Sequence, residues 1–176
     1  LLEEEFYWFP ESLGDSILFL DQDSNKIQYQ IVEKIAWHTD KYISDTGCRC
    51  TDISRVFAVN KQDTMWFSKR HDYTENWERD KEDRLGFIYN GGNSYFNSSK
   101  VTAIDTIQIN GIIIEDVLKY SEVRVDTLPF KSVYLARNLG VVKIDLKDGG
   151  FWVNQKLEIS DTTKIADFSY MESSCN

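Results

Sequence analysis

Residues 133–159 carry the clearest pattern in the chain. Val142, Ile144 and Leu146 alternate with Lys143, Asp145 and Lys147. After Asp148-Gly149-Gly150 the alternation resumes, with Phe151, Val153, Leu157 and Ile159 in one phase and Trp152, Asn154, Lys156 and Glu158 in the other. A period of two on both sides of a Gly-rich break predicts a β-hairpin with one buried face, the face of the apolar phase.

The same reading extends along the chain. Residues 17–20 are apolar, 21–25 form a dense turn signal, and from Ile27 the odd positions Ile27, Tyr29, Ile31, Ile35 and Trp37 are apolar, with Glu33 as the exception. This predicts a long strand paired with 17–20. Residues 40–47 read as a connection. Residues 50–59 and 65–68 read as strands around a turn at Asn60-Lys61-Gln62-Asp63, and 85–89 as another. The charge-dense stretch 71–84 reads as a loop or short helix, and the Gly/Asn/Ser-rich stretch 90–100 as a loop. Asn110-Gly111, between 106–109 and 112–114, is a strong two-residue hairpin signal. Residues 117–125 and 133–136 follow as strands. No stretch of ten or more residues carries a helical stripe. The expected fold is all-β or β-rich α+β: one domain over 1–176, a single curved antiparallel meander or half barrel of about nine or ten strands, with short helices at most. A meander of that length must curl or close to protect its edges.

At 176 residues the chain is long enough for a hydrophobic core that needs neither metal nor disulfide. Its 14% aromatic content and only two prolines fit pleated, half-buried strands. The formal charge of −9, with no Lys/Arg run longer than two, excludes the basic patch that nucleic-acid binding requires. No apolar run approaches the ~18 residues of a membrane-spanning helix. The opening Leu1-Leu2-Glu3-Glu4-Glu5, without Met, reads as a processed or trimmed product, with a targeting segment, if there was one, removed.

Candidate chemistry is sparse. Cys48, Cys50 and Cys175 make a poor metal site, because structural zinc takes four ligands in C-x₂₋₄-C pairs, and His38 and His71 are not spaced to complete one. The preferred reading is a disulfide joining Cys175 to Cys48 or Cys50 in an oxidising compartment; three free thiols are the alternative. On the chain-entropy argument such a bridge, closing more than a hundred residues, stabilises the fold by about 4 kcal/mol. Asp21-Gln22-Asp23-Ser24-Asn25 opens like a calcium loop, but Lys26 and Val32 stand where the EF-hand needs Gly and Glu, so a solvated turn is expected. Gly92-Asn93-Ser94-Tyr95-Phe96 lacks the second Gly of a nucleophile elbow. Asn97-Ser98-Ser99 fits a glycosylation sequon, with meaning only in a eukaryotic secretory setting. The carboxylates of 71–84 and Glu115-Asp116 are abundant, but a glycosidase-type pair must face across a cleft. No catalytic residue, metal site or cofactor is assigned. Most aromatics are expected in the core; Tyr73, Trp77 and Tyr95 lie in polar stretches and are the candidate contact residues.

Two stretches carry a resemblance. Trp8-Phe9-Pro10-Glu11-Ser12-Leu13-Gly14-Asp15-Ser16-Ile17 is one. Ile107-Gln108-Ile109-Asn110-Gly111, Val117 and the run Val133-Tyr134-Leu135-Ala136-Arg137-Asn138-Leu139-Gly140-Val141-Val142-Lys143 make up the other. Together they resemble the uncharacterised exported lipoproteins of Bacteroidetes. The resemblance implies a curved antiparallel sheet of the lipoprotein-carrier half-barrel type, export to the periplasm or outer membrane, and attachment through a removed N-terminal lipid anchor. It brings no catalytic residues. Leu135 departs from the aromatic expected there, and the 71–84 insert and the cysteines lie outside the pattern. The implied function is a non-enzymatic binding or structural module of the cell envelope, with a protein, glycan or hydrophobic ligand as partner. The alternatives are a carrier of lipid or another hydrophobic molecule in the concave face, and a carboxylate-dependent hydrolase.

Overall fold

The structure is a computed structural model that describes residues 8–43, 47–74, 77–90, 101–121, 129–155 and 169–173, with the backbone alone for 36–43, 47–50, 52, 70–74, 77–89 and 169–173. These residues hold eleven strands and no α-helix: β1 (Ser16–Asp21), β2 (Lys26–Ile43), β3 (Gly47–Val59), β4 (Thr64–Thr74), β5 (Trp77–Tyr89), β6 (Val101–Ile109), β7 (Ile112–Ser121), β8 (Phe130–Ala136), β9 (Gly140–Leu146), β10 (Phe151–Asn154) and β11 (Ser169–Ser173). They form one sheet in the order β5-β4-β3-β2-β1-β10-β9-β8-β7-β6, with β11 parallel to β2 beyond the end of β1. Every other pairing is antiparallel. The expected all-β half barrel is therefore the observed fold.

Two meanders, β1–β5 and β6–β10, meet where β1 pairs with β10, Leu20 opposite Val153. The outer strands β5 and β6 approach within 8 Å between Cα atoms, so the sheet curls back toward itself. Register shifts help it bend: one on β2 between Ile31 and Glu33, one on β5 between Trp77 and Glu82 opposite Thr74 and Asp72, and two in the β8–β9 pair. An extra residue in one strand of a pair kinks it and increases its twist. Turn chemistry matches the sequence. Asn110 and Gly111 have φ of 50° and 85°, the two positive values of a type I′ hairpin. The calcium-like loop is the β1–β2 turn, closed by its own aspartate. Asp23 N–H and Asn25 N–H donate to Asp21 Oδ1, and Asn25 Nδ2 donates to Oδ2. These bonds, chiefly the one from the Asn25 side chain, hold the Asp21 carboxyl below its ordinary range.

The main core lies inside the curl. Phe19, Tyr29, Met65, Phe130 and Ile144 are fully buried there. Phe19 meets Tyr29 edge-on at 6.4 Å, and Trp152 bridges Phe19 and Phe130 at 6.1 and 5.5 Å. A second cluster covers the opposite face of β8–β10, where Tyr134, Ala136, Val142 and Val153 pack with Ile109, Ile114 and Val117 of the β6–β7 hairpin.

Three local expectations are corrected. The predicted hairpin at 140–154 exists, but it buries both faces. The shift between Tyr134 and Leu135 makes Val141 and Val142 share one partner position, so Val141 and Ile144 join the inner core while Val142 joins the outer cluster. On β10 it is Trp152 that enters the inner core and Asn154 that is buried, with Asn154 Nδ2 donating to the Val141 carbonyl; Phe151 stays 39% exposed. On β2 the shift at Val32 likewise ends the odd-position phase: Tyr29 and Ile31 face inward, and after it Lys34 does. Residues 71–84 are not a loop or short helix; they fall on β4 and β5 either side of residues 75–76. Backbone pairing of β4 with β3 and of β5 with β4 holds this hairpin, and ladder bonds form whatever the side chains' polarity.

The reversed phase on β10 gives a direct check. Urea unfolding should show Trp152→Ala destabilised by about 3–5 kcal/mol and Phe151→Ala by less than about 1 kcal/mol.

Candidate functional site

The segment before β1 closes one end of the curl. Phe9 is buried in the inner core with Trp8 packed against it. Gly14 N–H donates to the Ile31 carbonyl at 2.9 Å and Ile31 N–H to the Asp15 carbonyl at 2.8 Å, so the segment is bonded to β2 at its bulge. Two residues on, Lys34 Nζ donates to the Phe9 carbonyl and, at 2.8 Å, to the Glu11 carbonyl. Burial pushes the Lys34 ammonium below the ordinary lysine range, while the Glu11 and Asp15 carboxylates act the other way. On β4 the buried Lys69 places Nζ 5.4 Å from the Trp8 ring centre. Glu11 is buried and its carboxylate lies against Gly140, where an added Cβ would meet Oε1 at 2.6 Å. Gly140 also has φ of 73°, so glycine is required there twice over. The two stretches quoted above for the resemblance thus touch, through Glu11 and Gly140. Their chemistry is that of a seal.

Beyond the seal, β2–β5 continue as a four-stranded extension. The register sets its residues in rows across the strands. Lys34 lines up with Val56, Phe67 and Phe87, and Ala36 with Ser54, Lys69 and Leu85. Val56 and Phe67 belong to the inner core, so these rows lie on the core-side face. The next row on that face is His38, Asp52, His71 and Asp83, extended on the β11 side by Glu172. The row after it holds Asp40, Cys50 and Tyr73.

Two of the three candidate contact residues, Tyr73 and Trp77, lie on this extension. Tyr73 is on the core-side face, one row past His71. Trp77 pairs with Thr74, at the same end of the sheet but on the other face. Tyr95 lies outside the described residues. Cys50 and Cys48 stand on β3 opposite Asp40 and Tyr42 of β2, and β11 runs along the other edge of β2 to Ser173 opposite Thr39. Cys175 lies outside the described residues. A bridge from the line of β11 to β3 must cross β2, a span of about 10 Å, and disulfides need Cα atoms within about 7 Å. The pairing therefore requires the chain after Ser173 to leave that line.

The other polar cluster is on the opposite face of β7–β9. Tyr134 Oη donates to Asp145 Oδ2 at 2.8 Å, Lys143 Nζ reaches Asp145 Oδ1 at 2.8 Å, and Lys119 and Lys143 lie 5.4 and 5.2 Å from the Tyr134 ring centre. Burial, with the Asp145 bond second, pushes the Tyr134 hydroxyl up, so it remains a neutral donor and no nucleophile. Glu115 and Asp116 are exposed on β7. Among the described side chains no group of three or more His, Cys, Asp and Glu is arranged to hold a metal.

The row of His38, Asp52, His71 and Asp83 was missed because 71–84 did not read as a strand. Part of its signal is nonetheless present: counted outward from the β2–β3 and β3–β4 turns, His38, Asp52 and His71 fall on one line, and Asp83 joins them only through the register shift between β4 and β5. Comparison with known protein families, with curated proteins and with solved structures found no match.

Replacing Lys34 with Met should lower the unfolding free energy by about 2–3 kcal/mol through loss of two charged hydrogen bonds. Between the lowered folded value and the ordinary 10.5, the unfolded chain binds more protons at Lys34, so its contribution to stability rises with pH across that window. Urea midpoints measured as pH rises toward 10.5 should show that rise in the parent and not in Lys34→Met.

Proposed function

We propose that the chain is a non-enzymatic binding or structural module of the bacterial cell envelope, exported and tethered by a lipid at the N-terminal side. The resemblance of 8–17 and 107–143 to exported lipoproteins supports export. The observation that carries the non-carrier reading is the filled curl. Phe19, Tyr29, Met65, Phe130 and Leu135 occupy its interior at 2% exposure or less, and Phe9 and Trp8 close one end. A carrier of hydrophobic molecules needs that volume open to its cargo. The binding region is then the extension of β2–β5, with Tyr73 on its core-side face and Trp77 at the same end.

The carboxylate hydrolase finds little support among the described residues. Glu115 and Asp116 face solvent on β7 rather than opposing each other across a cleft.

Native mass spectrometry of protein freshly isolated from envelope membranes tests the reading. The expected spectrum shows the polypeptide with a covalent acyl modification and no non-covalent organic ligand. A stoichiometric co-purified lipid would return the carrier to first place. Alkylation of the unfolded protein with and without reductant, read by intact mass, tests the cysteine pairing in the same sample. One thiol modified without reductant and three with it is the expected result.

A further inference from the structure

The chain contains only two histidines, far apart in sequence, and the sheet sets them on one line. His38 on β2 pairs with Asp52 on β3, Asp52 with His71 on β4, and His71 with Asp83 on β5. On the far side of β2, Glu172 of β11 pairs with His38. The row across five strands is thus Glu172, His38, Asp52, His71, Asp83: carboxylate and imidazole in strict alternation. No register shift interrupts the pairing between this row and the described core-side residues Lys34, Ser54, Val56, Phe67 and Lys69, so the row shares their face.

We propose that this row is a binding site for one divalent transition-metal ion of the zinc class, centred on the positions of His38, Asp52 and His71. Three physical arguments support it. Neutral imidazole nitrogens together with carboxylate oxygens are the donor types that zinc and its neighbours take, whereas calcium and magnesium take oxygen alone. The spacing fits: the positions of His38 and His71 are two strands apart, about 10 Å, with Asp52 at the position between them, a separation that one ion shared by two histidines can span. The charge fits as well. Asp52, Asp83 and Glu172 supply three negative charges on the line, against the single positive charge of Lys69 in the adjacent row.

The competing account is a ladder of cross-strand charge pairs, worth about 0.2–1 kcal/mol each to the sheet. A ladder of that kind holds the strands without binding zinc, so titration with zinc separates the two accounts. Cys50 lies one row further on the same face and provides a second competing account, a thiolate site. The proposal rests on the β2–β5 register and is independent of export, anchoring and the filled interior.

The experiment uses the full chain, reduced, stripped with chelator, and titrated with zinc chloride at pH 7.5. Calorimetry should read one equivalent bound with a micromolar or lower Kd, and magnesium chloride should give no binding. Long-range imidazole ¹H–¹⁵N spectra resolve both histidines in the parent protein, and both should shift together and saturate at one equivalent. His38→Gln and His71→Gln should each weaken zinc by at least the roughly 10–100-fold that loss of an outer-shell partner costs, with Cys50→Ser unchanged. The proposal is overturned by no zinc binding, by zinc shifting one imidazole or neither, or by binding that survives both His variants and disappears in Cys50→Ser. If the His variants fail to fold, the imidazole spectra of the parent protein decide the matter alone.

Discussion

The pairing of β1 with β10 joins two halves of the chain that are otherwise runs of local hairpins. Without it, β1–β5 and β6–β10 would be two open meanders, each presenting an apolar face and an unpaired inner edge. With it, Phe19 and Trp152 come together from opposite ends of the chain, and Phe130 completes the aromatic group at the centre of the curl. The strands flanking that seam are short, six and four residues, so side-chain packing carries much of the join. The segment before β1 then has a defined place to go. It lies over the open end, where Lys34 gathers its carbonyls and Gly140 makes room for Glu11.

Bulges decide what each face contains. A shift of one residue moves every following side chain to the other side of the sheet. At Val32 this brings Lys34 inward, where an ammonium can serve the carbonyls of the sealing segment. At Val141-Val142 it gives β9 a second buried face, so that Tyr134 is packed outside the curl while Leu135 fills it. The same device curves the sheet and aims particular side chains, and here the side chains so aimed include the groups that close the molecule.

The closed, filled curl and the extension past the seal have different chemistry. The first is apolar and complete, and its polar groups serve packing: Asn154 ties β10 to β9, and Asp145 holds Tyr134. The second carries both histidines and a line of carboxylates on the face that, lower down, is core. A face continuous with the core and lined with titratable residues is where this molecule has ligand-type chemistry to offer.

Much of this was legible locally. Asn110-Gly111, Asp21 to Asn25 and Asp148-Gly149-Gly150 located turns because their backbone requirements are met by few residue types, and apolar alternation located most strands between them. What alternation cannot reveal is a bulge, because Val32 and Val142 are as acceptable on one face as on the other; only the neighbouring strand decides. Nor can it reveal a strand such as that over 78–84, where every residue is charged and the conformation is fixed by ladder bonds to its partner. The sequence by itself determined the all-β character and the turns, because these follow from residue type and nearest neighbours. The tertiary structure alone decided that Trp152 rather than Phe151 enters the core, that Glu11 meets Gly140, and that two histidines distant in sequence share one line, because each depends on register between strands that only pairing can set.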